Sequence, residues 1–346
     1  MLTLGIDTSC DDTSAAVVLD GRKILSNIVS SQSYIHEKYG GIVPELASRR
    51  HIEMIVPVVD EALIAASVTL KDIDFISVCY GPGLIGSLLV GCNFAKAVGL
   101  ASGKPVVPVN HLEGHIFSIF LEYEDIDFPF LALLVSGGHT CLYIINGFGQ
   151  YTELGRTRDD ATGEAYDKVA KILGLGYPGG PIIDRLSKEG DPKAFDFPRA
   201  YIPDSFDFSF SGLKTSIKLK TMELLTKEFD NLDPETAKLS EIDSQLTRDI
   251  CSSFQSSVVA VLVRKTEWAV VKKGIRKIVL SGGVAANSEL RSAMKHMAEE
   301  RGLELYLPSI RLCTDNAAMI AAAGYHHFIA GNIASLDLNP RAYLPL

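Results

Sequence analysis

The chain has 346 residues, 47% hydrophobic and 22% charged, and 33 Lys and Arg against 42 Asp and Glu give a formal net charge of −9. That composition is globular and excludes a disordered chain, and the length exceeds one ordinary core and fits two domains. The negative balance argues against a free-standing nucleic-acid binder, because phosphate contact draws on excess positive charge, but it leaves room for a local basic patch or a partner's help.

The opening "MLTLGIDTSCDD" has neither a basic n-region nor a cleavage pattern, so no secretory signal is expected and a cytoplasmic setting is. The cysteines Cys10, Cys79, Cys92, Cys141, Cys251 and Cys313 form no C-x-x-C pair, which suits small buried hydrophobes in a reducing compartment. "LTLGIDTS" reads as a short apolar strand ending in small and acidic residues. "TSAAVVLDGRKILSNIV" reads as two more strands turning at Asp20-Gly21. Helical spacing runs from about Pro44 to Ala66, with a kink expected at Pro57. "IDFISVCYGPG" is a strand entering a glycine-rich turn, "LIGSLLVGCNFAKAVGLASG" a buried helix, and "KPVVPVN" a strand that delivers the chain to His111.

"FPFLALLVSGGHTCLYIINGFGQYTELG" repeats the opening pattern of strand, polar turn, strand, glycine turn and strand, a duplication of architecture that suggests two related lobes. Two uncharged runs, Phe75 to Ala95 and Phe128 to Thr152, have membrane-spanning length. Glycines and Pro82 break the first and "SGGHT" the second, so both read as buried strand, turn and following element, and no membrane span is expected. "DATGEAYDKVAKILGLG" is a helix followed by the turn "YPGGP", and residues 191–212 form a loop rich in Pro, Asp and Phe. A long helix is expected from about Glu241 to Lys272, with Ile242, Leu246, Ile250, Phe254, Val258 and Leu262 at helical spacing. "KIVLSGGVAANSELRSAMKHMAEE" is strand, glycine turn and helix, "LELYLPS" a strand, and "TDNAAMIAAAGYHHF" a helix with Asp315 near its N-terminus. Strands alternating with helices make an α/β protein.

In "VNHLEGHIFS" His111 and His115 stand four places apart, so on a helix both imidazoles leave one face and Glu113 roughly the opposite one. Leu112 occupies the place where the zincin signature H-E-x-x-H needs glutamate. Two ligands make a poor site, and the third chosen is Asp315. The plainer alternatives are core or surface histidines and, for Asp315, a helix cap. A set of two His and one carboxylate leaves coordination positions open for a substrate oxygen, unlike a closed structural zinc, and does not choose between iron and zinc.

Three turns, "DTSCDDTS", "VSGGHT" and "LSGGVAAN", each follow an apolar strand with small residues whose amides can cradle phosphate, although a single such turn is more often only a tight turn. Asp167 and Asp184 bracket "YPGGP", as ribose ligands or as ordinary helix-surface carboxylates, Asp167 pairing then with Lys171. His139 reads equally as a cleft residue or a buried one. The basic runs "SRRH" (48–51) and "VKKGIRK" (271–277), with Lys214, Lys218 and Lys220, offer either contacts to RNA phosphate or solvated helix faces.

Taken together, "LGIDTSCDDTS", "YGGIVPELASR", "GPGLIGSLLVG", "HLEGH", "LLVSGGHT", "GEAYDKVAKILGLGYPGGP", "DFSFSGLKTS", "SGGVAAN" and "CTDNAAMIA" resemble the bacterial TsaD family over nearly the whole chain. These are the tRNA N(6)-adenosine threonylcarbamoyltransferases, once described as O-sialoglycoprotein endopeptidases. The resemblance implies an actin-like ATPase fold, shared with sugar kinases and Hsp70, with two lobes around a nucleotide cleft. On that plan residues 1–109 and 325–346 form one lobe and 110–324 the other, which carries the nucleotide and substrate site, with the metal ligands at the interface. It implies transfer of threonylcarbamoyl from its adenylate, made by a separate synthase, to the adenosine 3′ of the anticodon in tRNAs reading codons that start with A.

Carried over by position, His111, His115 and Asp315 hold one divalent metal, Fe(2+) or Zn(2+). Leu134, Val135, Ser136, Gly137 and Gly138 line the substrate, and Asp167, Gly180, Asp184 and Asn287 hold its adenylate part. Ser9, Asp11 and Asp12 stand close to the reacting group, with Asp11 or Asp12 as proton acceptor. The implied partners are tRNA, an inactive actin-fold paralogue and a small P-loop ATPase. Asn110 stands where the family often has histidine and Asp7 where glutamate is common; neither is expected to touch the ligands. Three rival functions fit the residues less well. A metallopeptidase lacks the H-E-x-x-H glutamate. A small-molecule kinase of the same fold has no use for the His and carboxylate set. A non-catalytic actin-fold scaffold has no reason to keep it.

Overall fold

Strand β1 (Leu2–Asp7) is buried along its length past Leu2, the pattern of a central strand covered on both faces. In this computed structural model, which describes residues 1–228, 239 and 244–346, it forms the middle of the first of two sheets. It pairs antiparallel with β2 (Asp12–Leu19), and β2 pairs antiparallel with β3 (Lys23–Ser31). On its other side β1 pairs parallel with β4 (Phe75–Gly81), and β4 with β5 (Val106–Asn110), giving the order β3-β2-β1-β4-β5.

The parallel pairs need crossovers, and helices supply them. After the short α1 (Ser33–His36), α2 (Pro44–Ala65) connects β3 to β4 and runs through Pro57 as one helix. The next crossover, α3 (Ile85–Ser102), connects β4 to β5. Ala15 and Val17 cluster with Ile55, Val58 and Cys92 of α2 and α3 on one face. The alternate residues Ala16 and Val18 cluster with Ala317, Ala318 and Ala321 on the other, the period-two alternation of a strand. That second face is covered by α11 (Ala317–Ile329), which follows the short α10 (Ile310–Cys313). A Cβ at Gly5 would lie 2.3 Å from the Ala317 carbonyl oxygen, so the approach of α11 to β1 requires glycine there. By length and composition α3 could span a bilayer, yet it packs on β4 and α2, as the broken apolar run suggested. In chain order β5 is followed by α4 (His111–Phe117), every residue of which is buried.

The second sheet has the order β10-β9-β6-β7-β8. Strands β6 (Phe130–Val135), β7 (Thr140–Gly147) and β8 (Gln150–Arg156) are antiparallel neighbours. Strand β9 (Lys277–Ser281) runs parallel to β6, and β10 (Glu304–Tyr306) parallel to β9. Three antiparallel strands followed by two parallel ones is the arrangement of the first sheet, so the duplication of architecture is real. Between β8 and β9 come α5 (Thr162–Leu173), α6 (Gly179–Ser187), α7 (Ser211–Glu228) and α8 (Ser244–Lys273). The expected helix start at Glu241 and Ile242 lies outside the described residues. Ile250, Phe254, Val258 and Leu262 of α8 are all fully buried, as their spacing requires, and α9 (Ser288–Arg301) connects β9 to β10.

The chain divides into the units Met1–Asp127 with Pro308–Leu346, and Phe128–Leu307. The lobe boundaries read from sequence, after residue 109 and before residue 325, differ from these. The reason is that α4 packs back on α11 and β5, which keeps His111, His115 and Asp315 within the first unit rather than the second.

Candidate metal centre and nucleotide-binding turns

Strand β5 ends at Asn110, whose side-chain oxygen accepts a hydrogen bond from the Leu112 amide at 2.9 Å and so caps α4. The same side chain donates to the carbonyls of Leu344 and Pro345, at 3.3 and 3.2 Å. One helical turn then carries His111 and His115, their ring centroids 4.6 Å apart at 77°. Asp315 meets both: its Oδ1 lies 3.5 Å from His111 Nε2 and 3.1 Å from His115 Nε2. The cap of α11 is Asn316, which accepts from the Met319 amide, so capping does not account for Asp315.

The donor atoms of the three residues lie within 4.8 Å of one another. His115 has no exposed surface and His111 almost none. Both ring nitrogens of His115 and Nδ1 of His111 are buried without an aligned hydrogen bond among the described residues, although Asp315 Oδ1 lies close to His115 Nε2. Buried polar atoms left in that condition are costly and call for an explanation. An ion held by His111, His115 and Asp315 supplies one for His115 Nε2, and the donor set suits iron or zinc with open positions.

Asp7, at the end of β1, places Oδ2 3.6 Å from His111 Nδ1. The expectation that this position touches none of the ligands is corrected: β1 and β5 flank the same strand, β4, and their ends bring the two residues together. Burial alone lowers the pKa of His111, but Asp315 and Asp7 override it and push it up to about 9. Burial and the neighbouring His111 lower that of His115. A metal ligand must be a neutral imidazole, so an ion held there would displace a proton from His111.

The turn after β1 is acidic. Ser9 donates its amide to Asp7 Oδ1 at 2.9 Å, and its carbonyl accepts from the Leu84 amide at 2.8 Å. Burial and then Asp315 raise the pKa of Asp11. Burial, Asp11 and Asp315 raise that of Asp12 to about 7. Of the three phosphate-type turns read from sequence, this one alone carries carboxylates. His51 Nε2 donates to the Cys10 carbonyl at 3.0 Å, and its Nδ1 accepts from Thr13 Oγ1 at 2.8 Å. His51 is therefore a fully buried brace for the turn, not a member of a basic surface run. The neighbouring Arg49 and Arg50 pair with Glu45 and Glu53 along α2.

The corresponding turn after β6 in the second unit is neutral. Leu134 and Val135 are wholly buried strand residues, so they have only backbone to offer a ligand. The carbonyls of Ser136 and Gly137 accept from the Gly163 and Glu164 amides of α5, both at 3.1 Å. A Cβ on Gly163 would lie 2.7 Å from Gly137 Cα, so glycine is required for that approach. Gly282 has φ +90 and would place a Cβ 2.3 Å from the Val135 carbonyl oxygen, which seats the turn after β9 against β6. Gly137, Gly138, Gly180 and Gly283 face open space.

Asp167 on α5 accepts from the Gly179 amide at 2.7 Å and so sits beside Gly180 at the start of α6. Asp184 Oδ1 accepts from Gln255 Nε2, from the Ser288 amide and from Ser288 Oγ, at 3.2, 3.1 and 2.8 Å. Asn287 caps α9 through the Leu290 amide at 2.9 Å and donates to Gln255 Oε1 at 2.7 Å. Asp184 and Asn287 are thus joined through Gln255, which sequence reasoning missed. Its signal was a polar residue within the buried stretch of α8. His139 is half-buried at the end of the turn after β6, its amide donating to Ser136 Oγ at 3.1 Å.

The 271–277 run lies where α8 ends and β9 begins, at the opposite end of β9 from Gly282. Lys272 sits over the rings of Trp268 and Phe206, 4.7 and 5.4 Å from their centroids. Lys214 pairs with Asp160 at 3.1 Å, Lys220 with Glu223 at 3.2 Å, and Lys218 is exposed.

Two sheets of one repeated topology, with turns at equivalent strand ends, define an actin-like ATPase fold. Solved structures agree at the level of fold. HypF from T. kodakarensis matches with a TM-score of 0.57 at 13% identity, over 96% of this chain and 48% of that one. Component A of the (R)-2-hydroxyglutaryl-CoA dehydratase of Acidaminococcus fermentans matches with a TM-score of 0.52 at 17% identity, over 94% and 98%. Within that class the chain belongs to the TsaD family, described as tRNA N6-adenosine threonylcarbamoyltransferase, which it matches over residues 23–322. The protein of that name from Thermodesulfovibrio yellowstonii is 60% identical over the full length of both chains. The one from Geotalea uraniireducens is 53% identical over 100% of this chain and 97% of its own.

Proposed function

We propose that this chain transfers the threonylcarbamoyl group of threonylcarbamoyl-AMP to the N6 amine of the adenosine 3′ of the anticodon in tRNAs that read codons starting with A. The observation that carries this reading is the convergence of His111, His115 and Asp315 in a chain of this family. Bound there, a divalent iron or zinc ion supplies Lewis-acid polarisation of the carbamoyl carbonyl. The N6 nitrogen attacks the carbonyl carbon, the bond from that carbon to the phosphate oxygen breaks, and AMP leaves. The amine is a poor nucleophile until its proton goes, and Asp12 or Asp11, beside Ser9 in the acidic turn, accepts that proton. A pKa of about 7 at Asp12 suits a base working near neutrality.

The adenylate part is held in the second unit. Backbone from Leu134 to Gly138 and the bare Gly180 admit a close approach, while Asp167, Asp184 and Asn287 provide the polar contacts. The tRNA phosphates need more positive charge than a chain of net charge −9 carries. An inactive actin-fold paralogue therefore completes the groove in the cytoplasm, and a small P-loop ATPase resets the complex between turnovers. The test is transfer of labelled threonine to tRNA, with the adenylate and partner proteins supplied, by the wild-type chain and by His111→Ala. Wild-type transfer with no transfer by a folded, metal-depleted His111→Ala is expected; full activity in that variant would end the metal reading.

A further inference from the structure

Glu113 stands between the two histidines of α4 and is only 4% exposed. It is hydrogen-bonded to His327, whose Nε2 lies 2.7 Å from Glu113 Oε2. On its far side His327 Nδ1 lies 3.1 Å from Asn332 Nδ2. These contacts join the two segments that hold the metal-type cluster. One is α4, with His111 and His115; the other is α11, which begins two residues after Asp315 and carries His327 near its end. Between them Gly114 permits close contact, since a Cβ there would lie 2.9 Å from Ile320 Cδ1 and 3.3 Å from Met319 Cγ.

A buried carboxylate is tolerated when it is paired, and the pair then fixes one arrangement of the elements that carry it. The histidines leave one face of a single helical turn and Glu113 another. A rotation or slide of α4 against α11 would therefore change the spacing of His111 and His115 from Asp315 and break the pair together. We propose that Glu113 and His327 are positioning residues that hold α4 on α11 in the register at which His111, His115 and Asp315 form one ligand set. The inference rests on the metal reading above. It adds a role for the motif glutamate that is neither ligand nor general base: its carboxylate is turned to His327.

The experiment is a titration of the metal-free full-length chain with cobalt(II), whose visible absorption reports the number and arrangement of its ligands. Glu113→Ala and His327→Ala, each checked for native circular dichroism, are expected to weaken cobalt binding about 10- to 100-fold, the range for residues that orient metal ligands. Each should also alter the absorption bands at saturating cobalt, which a mere loss of stability would leave unchanged. Because both substitutions break one contact, the double variant is expected to bind about as weakly as the weaker single one. If Glu113→Ala does not fold, His327→Ala carries the test, since that side chain is 22% exposed. Wild-type affinity and bands in His327→Ala overturn the proposal, as do losses that add independently in the double variant. A wild-type chain that binds no cobalt overturns the metal reading itself, and this proposal with it.

Discussion

In the first unit β1 ends in Asp7 and the turn beyond it carries Cys10 and Asp11 up to Asp12, the first residue of β2; in the second, β6 ends in Val135 and the turn beyond it begins Ser136, Gly137 and Gly138. The strand orders are the same, yet one turn carries carboxylates and the other is built of small neutral residues. On the proposed function the first turn serves proton transfer and the second admits the adenylate, so a duplicated scaffold would hold two kinds of chemistry. Topology alone did not decide this. The side chains at a few equivalent places did, and a likeness between turns in sequence is weak evidence for a shared ligand.

If the comparison holds, each half of the chemistry can be removed alone. The largest effect is expected from Asp315→Ala, which should abolish bound metal and lower transfer by about 100-fold or more, while calorimetry finds adenylate affinity unchanged. A drop in adenylate affinity as large as the drop in activity would break the division of labour. Next in size is the response to pH. Asp12 accepts a proton only when ionised, and its pKa stands at about 7. Transfer should therefore rise with pH through neutrality, about one tenth of the carboxylates being available a unit below that point. Asp12→Asn should remove this step; an unchanged profile would shift the assignment to Asp11.

Smaller losses are expected in the second unit. Asp167→Ala or Asn287→Ala should weaken adenylate binding by about 1–3 kcal/mol, the cost of a lost buried hydrogen bond. Metal content measured on the same samples should not change. Asn287→Ala also removes the cap of α9, so its melting temperature should fall more than that of Asp167→Ala. The smallest effect is expected from reversing Lys272, Lys273 and Arg276 to glutamate. That run lies at the far end of β9 from the glycine turn, about 17 Å away at the rise of a strand. The triple variant should bind tRNA somewhat more weakly, with a shallower salt dependence and an unaltered adenylate affinity. Unchanged tRNA binding would remove the patch from the interface.

Local spacing made much of this legible. Four-residue separation placed His111 and His115 together, apolar runs bounded by glycine marked the strands, and the repeat of strand and turn foretold two sheets of one plan. What spacing could not disclose was contact across the chain. His51 looked like the end of a basic run, but it braces Cys10 and Thr13 from the inside. Asp7 was set aside, although the meeting of β1 and β5 ends brings it to His111. Gln255 links Asp184 and Asn287 from a helix whose apolar period drew attention to its neighbours instead. The lobe boundary was set where β5 ends, because nothing local says that α4 folds back onto a helix some two hundred residues later.

The first unit is assembled from two stretches of chain separated by the whole of the second. During translation, the second unit has all of its residues before Pro308 has been made, whereas the first still lacks α11. Until that helix emerges, the face of the sheet bearing Gly5, Ala16 and Val18 stays uncovered. At ~5–20 residues per second the wait between Asp127 and Ala317 is on the order of tens of seconds. For that interval the nascent chain displays an apolar sheet face to chaperones and to other chains, and the cluster of His111, His115 and Asp315 cannot form until the ribosome has passed Asp315.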